Sequence, residues 1–166
     1  MIYVEGFNKK LSIQVYKGYL NSLCKKLSDI GININTIPVL DILKKNTTNV
    51  IGNRSFSNKK EIVKKLGKIT INQCQVNGII GVIKHIPGHG CAILDSHYKT
   101  PKVNLNYKEL NDNDFSPFKS NSAKLAMTAH IIYKKIDPIN VTTFSKKIIT
   151  KVIRKKIGFK GILMSD

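Results

Sequence analysis

IIGVIKHIPGHGCAILDSH, residues 79–97, is the stretch on which the fold turns. It opens as an apolar, mostly β-branched run, Ile79–Ile83, that reads as a strand buried on both faces, as in a parallel sheet. Lys84 and His85 follow where that strand is expected to end. Pro87, Gly88 and Gly90 then break regular structure, and the loop continues to Asp95-Ser96-His97. Charged and titratable residues leaving the C-terminal end of a buried parallel strand stand where α/β folds keep their ligands.

Outward from this strand the chain alternates. Upstream, Ser12–Ile30 carries Ile13, Tyr16, Leu20, Leu23 and Leu27 at helical spacing, and Gly31 supplies a stop. Ile32–Leu40 reads as a strand ending at Asp41. Residues 44–58 form a polar loop containing Arg54, and Lys59–Val76 returns to helical spacing. Downstream, Tyr107–Lys119 predicts a helix that Pro117 shortens or kinks. Leu125–Tyr133 reads as a strand carrying His130. Ser145–Ile157 predicts a helix capped by Ser145, and Ile162–Met164 is a short strand running into Ser165-Asp166. Strand and helix at this cadence mean βαβ units and a parallel sheet. A (β/α)8 barrel needs about 250 residues for eight units. The expectation is therefore a partial (β/α)8 TIM barrel of about four to five units, residues 1–166 forming one incomplete domain, with a small open α/β sheet as the alternative.

Composition narrows the function. The net charge of +18 invites a nucleic-acid reading. However, 26 of the 28 basic residues are lysines, scattered as pairs such as Lys25-Lys26 and Lys155-Lys156. Scattered Lys with almost no Arg suits solvated faces better than a built phosphate-reading surface, so nucleic acid is the disfavoured partner. Three cysteines without a CxxC pair suit a reducing compartment, with Cys24 and Cys74 as core residues. No apolar run approaches the ~20 residues of a membrane span, and the start shows no signal peptide. A cytoplasmic location and no membrane partner are the expectations.

Strand-end residues carry the chemistry: Asp41, Lys84-His85, Asp95 with His97, His130 and Asp166, with Arg54 in an intervening loop. In a parallel barrel all strand ends open on one face, so these distant residues converge. Asp95 stands two residues from His97, close enough for a carboxylate to orient an imidazole. A strand-end Asp166 is a candidate nucleophilic or charge-stabilising carboxylate. A carboxylate on one side of a sugar and a proton donor on the other is the logic of retaining glycoside hydrolysis, here with a histidine as donor.

These residues carry a resemblance. Lys84-His85-Ile86-Pro87-Gly88-His89-Gly90 followed by Asp95-Ser96-His97 resembles the signature loop of bacterial β-N-acetylhexosaminidases in glycoside hydrolase family three. Ile51-Gly52-Asn53-Arg54-Ser55-Phe56 and Gly161-Ile162-Leu163-Met164-Ser165-Asp166 match two further segments of that family, in the right order. The resemblance runs from about Ile30 to Asp166. It implies Asp166 as the nucleophile, His97 as the general acid/base with Asp95 as its partner, and Arg54, Lys84 and His85 as residues holding N-acetylglucosamine hydroxyls. It also implies β-linked N-acetylglucosaminides as substrates, typically muropeptide fragments of peptidoglycan recycling, and no metal or cofactor.

Plainer readings stand beside these. His85 and His89 are four apart, but Pro87 and Gly88 forbid the helix that would aim both at one metal; His89 is expected to hydrogen-bond within its own loop. Lys84 can be one more solvated lysine, and Arg54 a structural ion-pair partner. Asp41 and His130 read as structural hydrogen-bonders. The family also has barrel segments before and after the matched region, and Met1–Lys10 retains only a VEGF remnant. The isolated chain is accordingly expected to fold poorly or to be inactive. Two further readings are a decayed or split-gene product completed by a companion chain, and a basic nucleic-acid-binding module.

Overall fold

The computed structural model describes residues 9–44, 51–92 and 100–166. Four parallel strands make the main sheet, in the order β1 (Ile34–Asn35), β2 (Ile80–Ile86), β4 (Leu125–Thr128) and β6 (Ile162–Met164). Two short segments, β3 (Lys102–Val103) and β5 (Ile132–Tyr133), pair with each other, also in parallel. Strands that neighbour each other in chain order, all parallel, with helices between them, form part of a (β/α)8 barrel wall. Among the described residues β1 and β6 pair with no further strand.

Helices α1 (Lys9–Asp29) and α2 (Lys60–Val76) cover one side of the sheet. On α1 the residues buried are Tyr16, Leu20 and Cys24, one stripe at i, i+4, i+8. Leu11, Val15 and Tyr19, on the flank of the same apolar pattern, stay exposed. On α2 the buried set is Val63, Leu66, Gly67, Thr70, Ile71 and Cys74. Gly67 brings α2 close to the β1 segment, since a Cβ there would lie 2.3 Å from Leu40 Cδ2. Tyr16 donates or accepts across the helix pair with Thr70 Oγ1 at 2.6 Å, and burial pushes its phenol up to about 12. Cys24 and Cys74 are fully buried, their sulfurs 3.9 Å apart, in the core role expected of them.

Phe115, Phe118, Tyr133 and the helix α4 (Ile148–Ile157) share one core with Ile83, Ile86 and Ala126 of the sheet and with Val63 and Ile71 of α2. Phe115 and Tyr133 meet edge to face at 5.9 Å. Ser145 caps α4 as expected, accepting from the Ile148 N–H at 3.0 Å, and Gly158 ends it at φ +79°. Its hydrogen bonding is π-wound, which the apolar spacing does not reveal.

Four boundaries differ from the sequence reading. The segment before Asp41 is a ladder only at Ile34–Asn35. Pro38 lacks an N–H to donate and the Ile37 N–H turns back to Asn35 O, after which pairing resumes at Val39 opposite Lys84. Strand β2 does not stop at Ile83 but runs through His85 to Ile86. The single strand expected over Leu125–Tyr133 is two, because the chain leaves β4 after Thr128 and Ile132–Tyr133 joins the small sheet. The helix expected from Tyr107 is short, α3 (Tyr107–Asp112), held by a reciprocal cap between Asn106 and Glu109. A 3-10 turn carrying Pro117 replaces its second half.

Candidate active site

The register of the sheet sets the site. Val39 stands opposite Lys84, Lys84 opposite Met127, and Met127 opposite Met164. Asp41, His85, Thr128 and Asp166 therefore leave four neighbouring strands at the same end, as the parallel reading requires. Between Lys84 and Ile86 the pairing with β4 slips by one residue, so His85 occupies a bulge. Bulges re-aim a side chain that regular pleating would direct elsewhere.

Asp41 sits at the centre and is fully buried. Its Oδ2 accepts from His85 Nδ1 at 2.6 Å, and Oδ1 accepts from the His89 backbone N–H at 2.6 Å. The His85 backbone N–H adds longer contacts to both oxygens at 3.3 Å. Burial alone would raise the Asp41 carboxyl; the imidazoles of His85 and His89 and the His89 amide outweigh it and hold the group below its ordinary value. A carboxylate in this position makes His85 Nδ1 the donor. Nε2 is then turned towards Asp166, 3.8 Å from Oδ2, longer than a hydrogen bond. The His85 ring is buried, so its exposed chemistry is confined to that edge.

His130 secures the other flank. Its Nε2 meets the Asp166 backbone O at 3.2 Å, and Nδ1 meets Thr143 Oγ1 at 2.8 Å, which in turn meets Thr128 Oγ1 at 2.8 Å. The structural role expected for His130 is thus spent on the backbone of the candidate nucleophile. Arg54 lies on an exposed turn, Gly52–Arg54, and shares with Lys84, Tyr16, Thr36, Pro38 and Phe56 a cleft of about 350 Å³. That volume lies within the ~300–1,000 Å³ of small-ligand sites. Burial first, and then the neighbouring Arg54 charge, lower the Lys84 ammonium, with Asp166 and Asp41 opposing. Lys84 also reaches Thr36 Oγ1 at 3.4 Å. It is not simply one more solvated lysine.

Arg54, Lys84, His85 and Asp166 therefore share one region of the strand-end face. Asp95 and His97 lie outside the described residues. His89 departs from expectation: its backbone binds Asp41 and closes a turn with the Ala92 N–H at 3.0 Å, but among the described residues its buried ring has no hydrogen-bond partner at either nitrogen. It packs edge-on against His85 at 5.6 Å. Asp41 is the residue that sequence reasoning undervalued. Its place at a strand end opposite Lys84-His85 was the available signal.

Residues 5–166 match the model of the glycosyl hydrolase family 3 N terminal domain. A beta-hexosaminidase of Nitrosomonas eutropha is 32% identical over 166 residues, covering 98% of this chain and 47% of that protein. Beta-hexosaminidase A of Pseudoalteromonas piscicida is 32% identical over 161 residues, 88% of this chain and 27% of that protein. Among solved structures, native NagZ of Neisseria gonorrhoeae superimposes with a TM-score of 0.87 at 32% identity, over 95% of this chain and 46% of that one. The chain spans about half, or less, of the length of these relatives. With its parallel barrel wall, its strand-end cluster and a family match over nearly its whole length, the chain belongs to glycosyl hydrolase family 3, as N-terminal-domain sequence.

Proposed function

We propose that this chain carries part of the catalytic barrel of a retaining glycoside hydrolase that removes terminal β-linked N-acetylglucosamine, with peptidoglycan fragments as the natural substrates and the cytoplasm as the place of action. The observation that carries the reading is the buried Asp41–His85 pair directed at Asp166. A carboxylate at a strand end, approached by an oriented imidazole and flanked by the cations Arg54 and Lys84, suits attack on a sugar whose hydroxyls are held beside it. The relatives named beta-hexosaminidase support the substrate class, as does a solved NagZ complex with N-trifluoroacetyl-D-glucosamine.

In this mechanism Asp166 attacks the anomeric carbon and forms the glycosyl-enzyme, while His97, partnered by Asp95, protonates the leaving oxygen. The same histidine then activates the water that releases the sugar. His85 keeps its Nε2 edge on Asp166, and Asp41 keeps His85 in that tautomer. A catalytic barrel aligns such groups only when its wall is rigid, and β1 and β6 lack further strand partners among the described residues. The isolated 166-residue chain is therefore a weak or inactive catalyst, and a companion chain that supplies further strands would restore activity.

Hydrolysis of a chromogenic β-N-acetylglucosaminide tests this, using the chain alone and the chain together with the remaining family segments. The complete assembly should be active, and Asp166→Ala should abolish that activity. His97→Ala should slow substrates with poor leaving groups far more than activated aryl glycosides. Full activity in Asp166→Ala would refute the assignment. So would equal loss on both substrate types in His97→Ala, for the acid/base role.

A further inference from the structure

Away from the strand-end cluster, three side chains from three separate segments meet beside the Gly88–Ala92 turn. Lys44 Nζ lies 2.7 Å from Asp114 Oδ2 and 2.5 Å from Cys91 Sγ. Asp114 is buried, and its other oxygen, Oδ1, has no hydrogen-bond partner among the described residues. Cys91 is half-buried, and the Lys44 side chain is one-third exposed, so a small solute can reach both.

The backbone holds this group in place. A Cβ on Gly88 would come within 2.8 Å of Asp114 O, and one on Gly90 within 2.2 Å of Ile42 O. The turn bearing Cys91 is thus seated against both segments that supply its neighbours. Burial, and then the Asp114 carboxylate, push the thiol up to about 12. Cys91 therefore rests as the thiol near neutral pH and can act as a nucleophile only through its small thiolate fraction, which grows as pH rises. Its distinguishing feature is a primary amine in direct contact with the sulfur.

We propose that Cys91 and Lys44 are an oxidative cross-linking site, in which a peroxide converts the pair into a reversible sulfur–nitrogen bond. In the first step Cys91 gives its proton to solvent and the thiolate attacks the peroxide; the O–O bond breaks, sulfur is oxidised by two electrons to the sulfenic acid, and the departing oxygen takes up a proton and leaves as water or an alcohol. In the second, the Lys44 ammonium yields one proton to Asp114 or solvent and the free amine attacks that sulfur. The S–O bond breaks, the S–N bond forms, and the oxygen leaves as water with the second proton from nitrogen. Sulfenic acids condense with nearby nitrogen in this way, and here the nitrogen is already in place. A thiol reductant reopens the bond. The link would join the segment following Asp41 to the turn bearing His89, two segments that also meet at the Asp41 carboxylate. It is independent of the hydrolase reading.

The test treats the folded full chain, carrying Cys24→Ala to remove the neighbouring sulfur pair, with hydrogen peroxide. Free thiols are then blocked and the chain is digested without reductant for mass spectrometry. The expected product is a peptide pair joined through Lys44 and Cys91, lighter by two hydrogens than its parts and separated again by a thiol. Lys44→Arg, which keeps a cation against Asp114, should lose the linked pair and carry Cys91 on to sulfinic acid. Unfolding the chain in urea before oxidation should likewise abolish the link. Cys91 recovered as sulfinic acid or as a mixed disulfide, with Lys44 unmodified in the folded parent chain, would overturn the proposal. So would a linked pair retaining an added oxygen.

Discussion

Asp41 and His85 form a fully desolvated carboxylate–imidazole pair, Oδ2 to Nδ1 at 2.6 Å, across two neighbouring strands. Removing the charge of Asp41 breaks a buried pair and leaves a single amide oxygen where His85 Nδ1 and the His89 amide each had a carboxylate oxygen. Asp41→Asn should cost about 3–5 kcal/mol in urea unfolding. The pair also sets a pH dependence. A carboxyl held below its ordinary value when folded stabilises the fold above its unfolded pKa, and that contribution is lost as pH falls through the folded pKa. The parent chain should therefore lose stability on acidification below about pH 4. Asp41→Asn should lose less over the same interval, and parallel curves for the two would show that the charge contributes nothing.

Asp166 should behave oppositely, as a residue of chemistry rather than of stability. Its side chain is partly open to solvent, and its tie to the fold is through the backbone, by His130. Asp166→Ala should leave the unfolding free energy within about 0.5 kcal/mol. In the active assembly it should lower kcat by about 10⁴-fold or more. A small anionic nucleophile such as azide should restore part of the turnover and invert the product's anomeric configuration, read by NMR.

Two glycines make a contrasting pair. Gly18 lies in the exposed interior of α1 with open space where a Cβ would go, so Gly18→Ala should stabilise by about 0.5–1 kcal/mol. Gly90 would drive its Cβ to 2.2 Å from the Ile42 carbonyl oxygen, a backbone atom that cannot swing aside. Gly90→Ala should destabilise by about 1–3 kcal/mol or more. Thermal melts of the two variants against the parent chain should move in opposite directions.

Ser145 joins a cap to a carboxylate. It accepts from the Ile148 N–H and donates to Asp137 Oδ2 at 2.6 Å. Ser145→Ala should lose about 1–2 kcal/mol of stability. Ser145, followed by the Asn140 amide, also holds the Asp137 carboxyl below the usual carboxylate range. An NMR titration should show the Asp137 midpoint rising in the variant, and an unchanged midpoint would assign the shift to the backbone donors alone.

The helices and the parallel sheet were legible because their signals are local or periodic. Apolar spacing located α1, α2 and α4, and the β-branched run located β2. Gly31 marked the end of α1 and adopts positive φ. What escaped depends on neighbours across the sheet. The slip at His85 is a property of the β2–β4 register, and no single strand encodes it. The break after Thr128 arises because Ile132–Tyr133 finds a partner in Lys102–Val103. For the same reason Asp41 read as one polar residue at a strand end, although its importance lies in two groups more than forty positions away. Arg54, Lys84, His85 and Asp166 were named in advance and lie in one region of the strand-end face; the way Asp41 and His130 hold that region together was not legible.

The order of the main sheet follows the order of synthesis. Each new strand, β2 beside β1, then β4, then β6, pairs with the strand of that sheet made just before it, and a helix made in between is at hand to cover the join. No strand of this sheet must wait for a distant partner to be translated. A chain built this way can assemble on the ribosome by accretion at one advancing edge, keeping loop closures modest at every step. The same economy leaves the latest strand as an open template, so the growing protein depends on whatever reaches that edge first.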